Sequence, residues 1–246
     1  MSELVFYTNP QSRGRIAHWM MEELAEPYET VWLDYGTTMK APDYLAVNPM
    51  GKVPALRHGD AVVTEAAAIC AYLGDRFPEK GLIPPPGSPA RADYYRWLFF
   101  AAGPLEQAII ARSLGWEVPE GKHGQAGFGS LELTIDALDG WLSENDFIAG
   151  ARFTMADTYV GSQFVWGLRF GSIPERPSFK AYVERITQRP AYAEANAIDA
   201  AIAAGIADPG AMVAGGFRLE AETAEAAGAE HMPGHGLIGP WAGARR

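Results

Sequence analysis

The chain opens on a short apolar run, Leu4 to Tyr7, whose side chains favour extended backbone and predict a buried strand. Pro10 interrupts it. From Ser12 to Leu24 the period lengthens, with Ile16, Met20 and Leu24 recurring every four residues along one helix face. Pro27 stops that helix, and Tyr28 to Leu33 reads as a second strand. Strand, helix and strand within about thirty residues predict a βαβ unit with a parallel pair. Asn48 to Gly51 is rich in turn formers. Val53-Pro54 then leads into the strand Ala55 to Arg57, a turn at His58-Gly59-Asp60, and the returning strand Ala61 to Thr64. A helix follows from about Glu65 to Phe77. The pattern over residues 1–78 is thus βαβ followed by ββα, a small mixed sheet with helices.

From Pro78 to Pro89 the chain carries five prolines with Gly81 and Gly87, a stiff stretch that cannot continue a helix, so 79–89 reads as a linker. Helical patterning dominates residues 90–204, with segments predicted at Ala90–Ala111, Gly129–Ser143, Met155–Phe170, Phe179–Gln188 and Tyr192–Ala204, and a loop at Gly115–Gly127. Thr154, with Asp157 three residues on, predicts a capped helix start. Residues 205–246 form a tail rich in Gly and Ala with little pattern.

Composition narrows the function classes. The 246 residues are 48% hydrophobic and 20% charged, as in folded globular chains. A formal net charge of −10 argues against nucleic acid or an anionic membrane as partner, since both call for a basic surface. Cys70 is the single cysteine, so no internal disulfide can form. No basic, then apolar leader opens the chain, and no run of about 18 apolar residues occurs; a cytoplasmic location is the expectation. His18, His58 and His123 lack metal-ligand spacing, and the pair His231 and His235 has no third ligand near it in sequence, so no metal is expected.

The most specific stretch is NPMGKVPALRHGDAVVTEAAAICAYLGDRFP, Asn48 to Pro78. Its N-P-x-G-K-V-P-x-L segment, hairpin and Glu65-led helix start resemble the glutathione-binding half of the cytosolic glutathione transferase family. The segment FTMADTYVG and the pair Arg189-Pro190 are similar to that family's helical domain. Ala66 stands where the family usually has serine. The resemblance covers roughly residues 3 to 200. It implies an α/β thioredoxin-like N-terminal domain over 1–78, an all-α C-terminal domain over 90–204, a cis proline at position 54, and a homodimer. It implies glutathione as cosubstrate, with no other cofactor.

The residues suit that ligand. Glutathione is an anionic tripeptide carrying a thiol. The residue before Pro54 is held extended, and Val53 can pair with a peptide as an added strand would. Glu65 and Ala66 open a helix, where free N–H groups and the dipole attract a carboxylate; Glu65 itself suits an ammonium. Ala66 offers only its backbone N–H. Lys52 has the reach to meet a second carboxylate. Ser12, Tyr7 and Asn9 lie in or beside the first strand–helix loop and are the candidates for activating the thiol, in that order. A serine at a helix start also serves as a plain cap, and a strand tyrosine as plain packing. The aromatic run Tyr94 to Phe100 supplies both core and candidate pocket residues, with Tyr94, Trp97 and Phe100 expected to line a site for an apolar electrophile, together with Arg112 and Trp116. Cys70 falls on an alanine face and reads as buried packing.

The expected reaction is conjugation of the glutathione thiolate to a hydrophobic electrophile. A glutathione-dependent isomerase, dehalogenase or peroxidase on the same fold is the first alternative. A transferase-like binding module is the second, favoured by Ala66. A thioredoxin-type oxidoreductase needs a cysteine in the first loop, which is absent.

Overall fold

A computed structural model describes residues 3–205. The tail beyond Gly205, with His231 and His235, lies outside the described residues. Four strands form one sheet: β1 (Leu4–Thr8), β2 (Tyr28–Trp32), β3 (Ala55–His58) and β4 (Ala61–Thr64), in the order β2-β1-β3-β4. β1 and β2 are parallel, joined by the crossover helix α1 (Gly14–Leu24). β3 pairs antiparallel with both β1 and β4. The two-residue period of β1 sends Leu4 and Phe6 to one face, where they join Ile16, Met20 and Leu24 of α1 and Ile69 and Leu73 of α3 (Ala66–Arg76). Tyr7 belongs to the other face. There Leu33, Met39, Tyr44 and Ala55 form a second, smaller cluster against Tyr7, Val31 and Val53. The segment after β2, to which the sequence pattern assigned no element, supplies that cover as a 3₁₀ turn at Thr38–Lys40 and the short α2 (Pro42–Leu45).

Beyond Pro78 the chain is helical: α4 (Pro89–Phe100), α5 (Glu106–Leu114), α6 (Leu131–Glu144), α7 (Met155–Phe170), α8 (Pro177–Thr187) and α9 (Pro190–Ala203). Proline opens α2, α4, α8 and α9, where its missing N–H would have had no partner in any case. The single helix expected over Ala90–Ala111 is not continuous. Pro104 cannot donate to the ladder and crowds the carbonyl a turn earlier. The chain accommodates it by widening into a π turn at Ala101–Leu105 before α5 resumes.

One hydrophobic cluster runs unbroken from the sheet into these helices. Leu82 and Ile83, within the proline-rich stretch, are buried, and the Leu82 carbonyl accepts from Met155 N at 2.8 Å. Gly74 on α3 leaves room for Ile83 and Met155 to pack on it; a Cβ there would lie 3.2 Å from Ile83 Cβ. α7 is the central post, packed against α1, α3, α4 and α8.

The start of α7 is fixed by Asp157, which is fully buried. Its Oδ1 accepts from Ile148 N at 2.8 Å and from the Tyr182 hydroxyl at 3.0 Å; its Oδ2 accepts from Thr154 N at 2.8 Å and Thr154 Oγ1 at 3.0 Å. Burial pushes the carboxyl up to about 6 even against these four donors. Thr154 and Asp157 form the reciprocal cap that the sequence suggests. Asp157→Ala leaves those donors buried without an acceptor and is expected to cost about 3 kcal/mol, read as a lowered midpoint in urea unfolding.

Candidate functional site

The strand register brings three separate segments to one end of the sheet. Tyr7 on β1 lies opposite Ala55 on β3, and Ala55 lies opposite Thr64 on β4. The residues that follow Tyr7, precede Ala55 and follow Thr64 therefore emerge side by side. They are the loop Thr8–Arg13, the pair Val53-Pro54 and the helix start Glu65-Ala66.

The Val53-Pro54 bond is cis. Among the described residues neither the N–H nor the C=O of Val53 has a hydrogen-bond partner, so this backbone is open to an incoming chain. The preceding turn is held firmly. Asn48 is buried; its amide donates to Lys52 C=O at 2.7 Å and its oxygen accepts from Met50 N at 3.0 Å. The Tyr44 hydroxyl donates to the same Lys52 carbonyl at 2.5 Å. Gly51 has φ +55, and a Cβ there would sit 2.8 Å from both Lys40 Nζ and the Met39 carbonyl, so only glycine suits the position. Lys40 donates to Gly51 C=O at 2.7 Å and to Met50 C=O at 3.2 Å. Neither Lys40 nor the exposed Lys52 pairs with a carboxylate among the described residues, which leaves two uncompensated cations at this corner of an acidic chain.

Glu65 precedes α3 with φ +67 and ψ +119, a conformation that ordinary side chains disfavour by about 1–3 kcal/mol. Its carboxylate is exposed and makes no cap bond, so the first N–H groups of α3 have no side-chain acceptor. Strain of this kind persists where the surroundings require it.

The first loop is internally bonded. Asn9 is buried; its amide donates to Leu33 C=O at 2.8 Å and its oxygen accepts from Gln11 N at 2.9 Å. Ser12 Oγ donates to Asn9 C=O at 2.7 Å and accepts from Gly14 N at 2.9 Å, which ties it to the first residue of α1, one position before the Arg13 N-cap. Gly14 admits this arrangement: a Cβ would meet Thr8 Oγ1 at 2.0 Å and Ser12 Oγ at 2.8 Å. Tyr7 is half-buried with its ring 5.6 Å from that of Tyr44, and its hydroxyl has no partner among the described residues.

The structure thus brings Ser12, Tyr7, Asn9, Lys52, Val53, Pro54, Glu65 and Ala66 to one neighbourhood. It does not do so for the aromatic run. Tyr94 and Trp97, expected along a pocket, are 0% and 1% exposed and sit in the core, because positions 94, 97, 98, 101 and 105 share the inward face of α4 and the π turn. Phe100 packs at 5.2 Å on Trp97, half-buried. Arg112 and Trp116 are exposed at the far end of α5 and just beyond it. Facing the first loop from the helical side is instead Glu106, the first residue of α5. It lies 2.6 Å from Arg13 Nη2 and accepts from the Tyr159 hydroxyl at 3.0 Å. Tyr35 approaches from the segment after β2; its hydroxyl donates to Gln11 C=O at 3.3 Å beside Ser12 and Arg13. Arg13, adjoining the candidate serine, was within reach of sequence reasoning. Tyr35, Lys40 and Glu106 carry no local signal, since only long-range folding brings them here.

Comparison with known proteins agrees with this geometry. The glutathione S-transferase N-terminal domain family matches residues 13–76, and the glutathione S-transferase C-terminal domain family matches residues 122–190. Glutathione S-transferase 3 of Zea mays is 31% identical over 210 residues, covering 78% of this chain and 92% of the relative. A crystal structure of a glutathione transferase from Methylococcus capsulatus superposes with a TM-score of 0.66 at 31% identity, over 80% of this chain and 98% of that one. A sphingomonad glutathione S-transferase complexed with glutathione gives 0.65 at 29% identity, over 79% and 98%.

Glu65→Gly removes the backbone strain at the helix start and adds back some chain entropy in the unfolded state. A net gain of about 1 kcal/mol is expected, measured as a raised thermal midpoint.

Proposed function

The chain belongs to the glutathione S-transferase family, and from that premise we propose that it conjugates the thiolate of glutathione to an electrophilic small molecule. The observation that carries this reading is the open Val53 backbone lying beside the uncapped, strained start of α3. A peptide with one thiol, two carboxylates and one ammonium fits those groups. The Val53 N–H and C=O pair with the peptide backbone of the cysteinyl residue. The N–H groups opening α3 at Ala66 take the γ-glutamyl carboxylate and Glu65 its ammonium. Lys52, with Lys40 beside it, faces the glycyl carboxylate.

The sulfur then lies against the loop between β1 and α1. A free thiol has a pKa of about 8.5, and lowering it by two units calls for about 2.7 kcal/mol of thiolate stabilisation. A hydrogen bond to a charged acceptor contributes about 1.5–3 kcal/mol, and a helix N-terminus about 0.3–1 kcal/mol. Ser12 supplies both, once its proton turns from the Asn9 carbonyl to the sulfur. Tyr7, with an uncommitted hydroxyl, is the second candidate. Asn9 has its amide engaged at both ends and serves to hold the loop. On an aryl halide the new carbon–sulfur bond forms as the carbon–halogen bond breaks, and the halide leaves with its electron pair. On an activated alkene the sulfur adds and the neighbouring carbon takes a proton from water. Holding both reactants together supplies most of the remaining acceleration.

The same family reading gives the chain a thioredoxin-like domain over 1–78, a helical domain over 90–204 and a homodimeric assembly. Exposed Met50 and Val62 on one side, and Tyr95 and Phe99 of α4 on the other, are the apolar surfaces such a dimer would cover. No helix among the described residues is long and apolar enough to cross a membrane.

Two measurements test the proposal. Ser12→Ala is expected to raise the pKa of bound glutathione, followed by thiolate absorbance against pH. An unchanged titration, with a shift in Tyr7→Phe instead, transfers the role to Tyr7. Ala66→Ser restores a hydroxyl donor to the carboxylate site and is expected to tighten glutathione binding by about 0.5–1.5 kcal/mol, roughly two- to tenfold, by calorimetry. Absence of any binding heat in the native chain sinks the whole reading.

A further inference from the structure

Arg13 stands at the junction between the first loop and the helical layer. Its side chain is 52% exposed and makes one ion pair, through Nη2, with Glu106 at 2.6 Å. Glu106 is 19% exposed and is held in turn by Tyr159 on α7, whose buried hydroxyl stays protonated because burial and the neighbouring carboxylate raise its pKa far above the ordinary tyrosine value. One Glu106 oxygen thus faces Tyr159 and the other Arg13. Since only one carboxylate oxygen reaches the guanidinium, the pair is not the two-pronged kind that would use up a whole edge of it. Nε and Nη1 of Arg13 have no partner among the described residues. Beside them, Tyr35 is 59% exposed while its hydroxyl is tied back to the loop. The space next to Ser12 therefore presents an anchored cation with unused donors and an exposed aromatic residue. The large apolar side chains once expected to line it, Tyr94 and Trp97, are in the core, and the α4–α5 corner opposite offers Ala102, Gly103 and Glu106.

We propose that Arg13, steadied by Glu106, is the specificity-determining residue of the second-substrate site and selects planar electrophiles that carry a carboxylate or similar oxyanion. The identification of the site as a second-substrate site rests on the transferase reading; the anion selectivity of Arg13 does not. An oxyanion would take the unpartnered guanidinium donors, Nε or Nη1, while a ring lies along Tyr35, with the reacting carbon toward Ser12. Glu106 keeps the cation from swinging into solvent and repels an anion placed anywhere but on the far side of Arg13.

The test uses the full chain, native and Arg13→Gln, titrated calorimetrically with 3-nitrobenzoate and with 3-nitrobenzamide, each with and without saturating glutathione. These probes share size and ring and differ in charge. The native protein is expected to bind the carboxylate at least about tenfold tighter than the amide, as one charge-assisted contact provides. Arg13→Gln is expected to abolish that ratio by weakening the carboxylate alone, Arg13→Lys to restore part of it, and the glutathione dissociation constant to stay within about twofold in both variants. Equal affinities in the native chain, binding of neither probe, or an undiminished ratio in Arg13→Gln overturns the proposal. Loss of glutathione binding in the native chain, with the ratio intact, overturns the transferase reading and leaves Arg13 as an oxyanion-selecting residue.

Discussion

Everything at the site depends on the register of three strands. Because Tyr7, Ala55 and Thr64 stand in one row across the sheet, a loop, a cis Val53-Pro54 turn and a helix start all leave the sheet at the same end. A slip of one residue between β1 and β3 would exchange the faces of β3 and carry Val53 away from the loop. The register is enforced from both sides of the sheet. Leu4, Phe6 and Leu56 are buried under α1 and α3, while Tyr7, Val31 and Ala55 are covered by Met39 and Tyr44. The second cluster thus does more than fill space, since it keeps the sheet two-sided where a small domain would otherwise expose one face to water.

Much of this was legible in the sequence because the information is local. A short apolar run of β-forming residues marks β1, four-residue spacing marks α1, and the turn residues around Gly59 mark the β3–β4 hairpin. The motif from Asn48 to Pro78 names its own ligand groups within thirty-one residues of chain. What was not legible depends on contacts between distant segments. The short elements between Thr38 and Leu45 have no period of their own and exist to cover Tyr7. Tyr94 and Trp97 looked available because aromatic residues serve cores and pockets alike; which face of α4 points inward is decided by α7 and α6, not by α4. Glu106 gave no sign at all, being one acid among thirty until Arg13, 93 positions earlier, meets it.

A polar seam ties the two layers together behind the site. His18 on α1 is fully buried, with Nδ1 2.9 Å from Asp199 Oδ1 on α9 and Nε2 3.0 Å from the Tyr28 hydroxyl. Burial works to lower the imidazole pKa, but the Asp199 carboxylate, with Glu22 behind it, outweighs burial and holds it above the ordinary histidine value. Arg15 reaches Asn196 at 2.5 Å, and Arg189 grips Glu23 through both Nε and Nη2. Apolar contacts alone would let α1 slide along α9. These paired groups accept only one alignment, which fixes the height of the Ser12 loop against the helical layer.

The widened turn at Ala101–Leu105 sets how the cleft can change over evolutionary time. An α-helix turns by about 100° per residue, and the extra residue held in the wide turn sets the present phase of α5; a one-residue deletion or insertion in the regular helix next to it, with the wide turn kept, would rotate all of α5 by about that angle, sweeping Glu106 off Arg13 and bringing a neighbour round in its stead. A substitution alters a single side chain, whereas a length change at this corner re-deals the whole exposed stripe of α5 without disturbing the sheet end that holds the peptide. Divergence in what the cleft accepts can therefore proceed by insertion and deletion beside Pro104 while the other half of the site stays as it is.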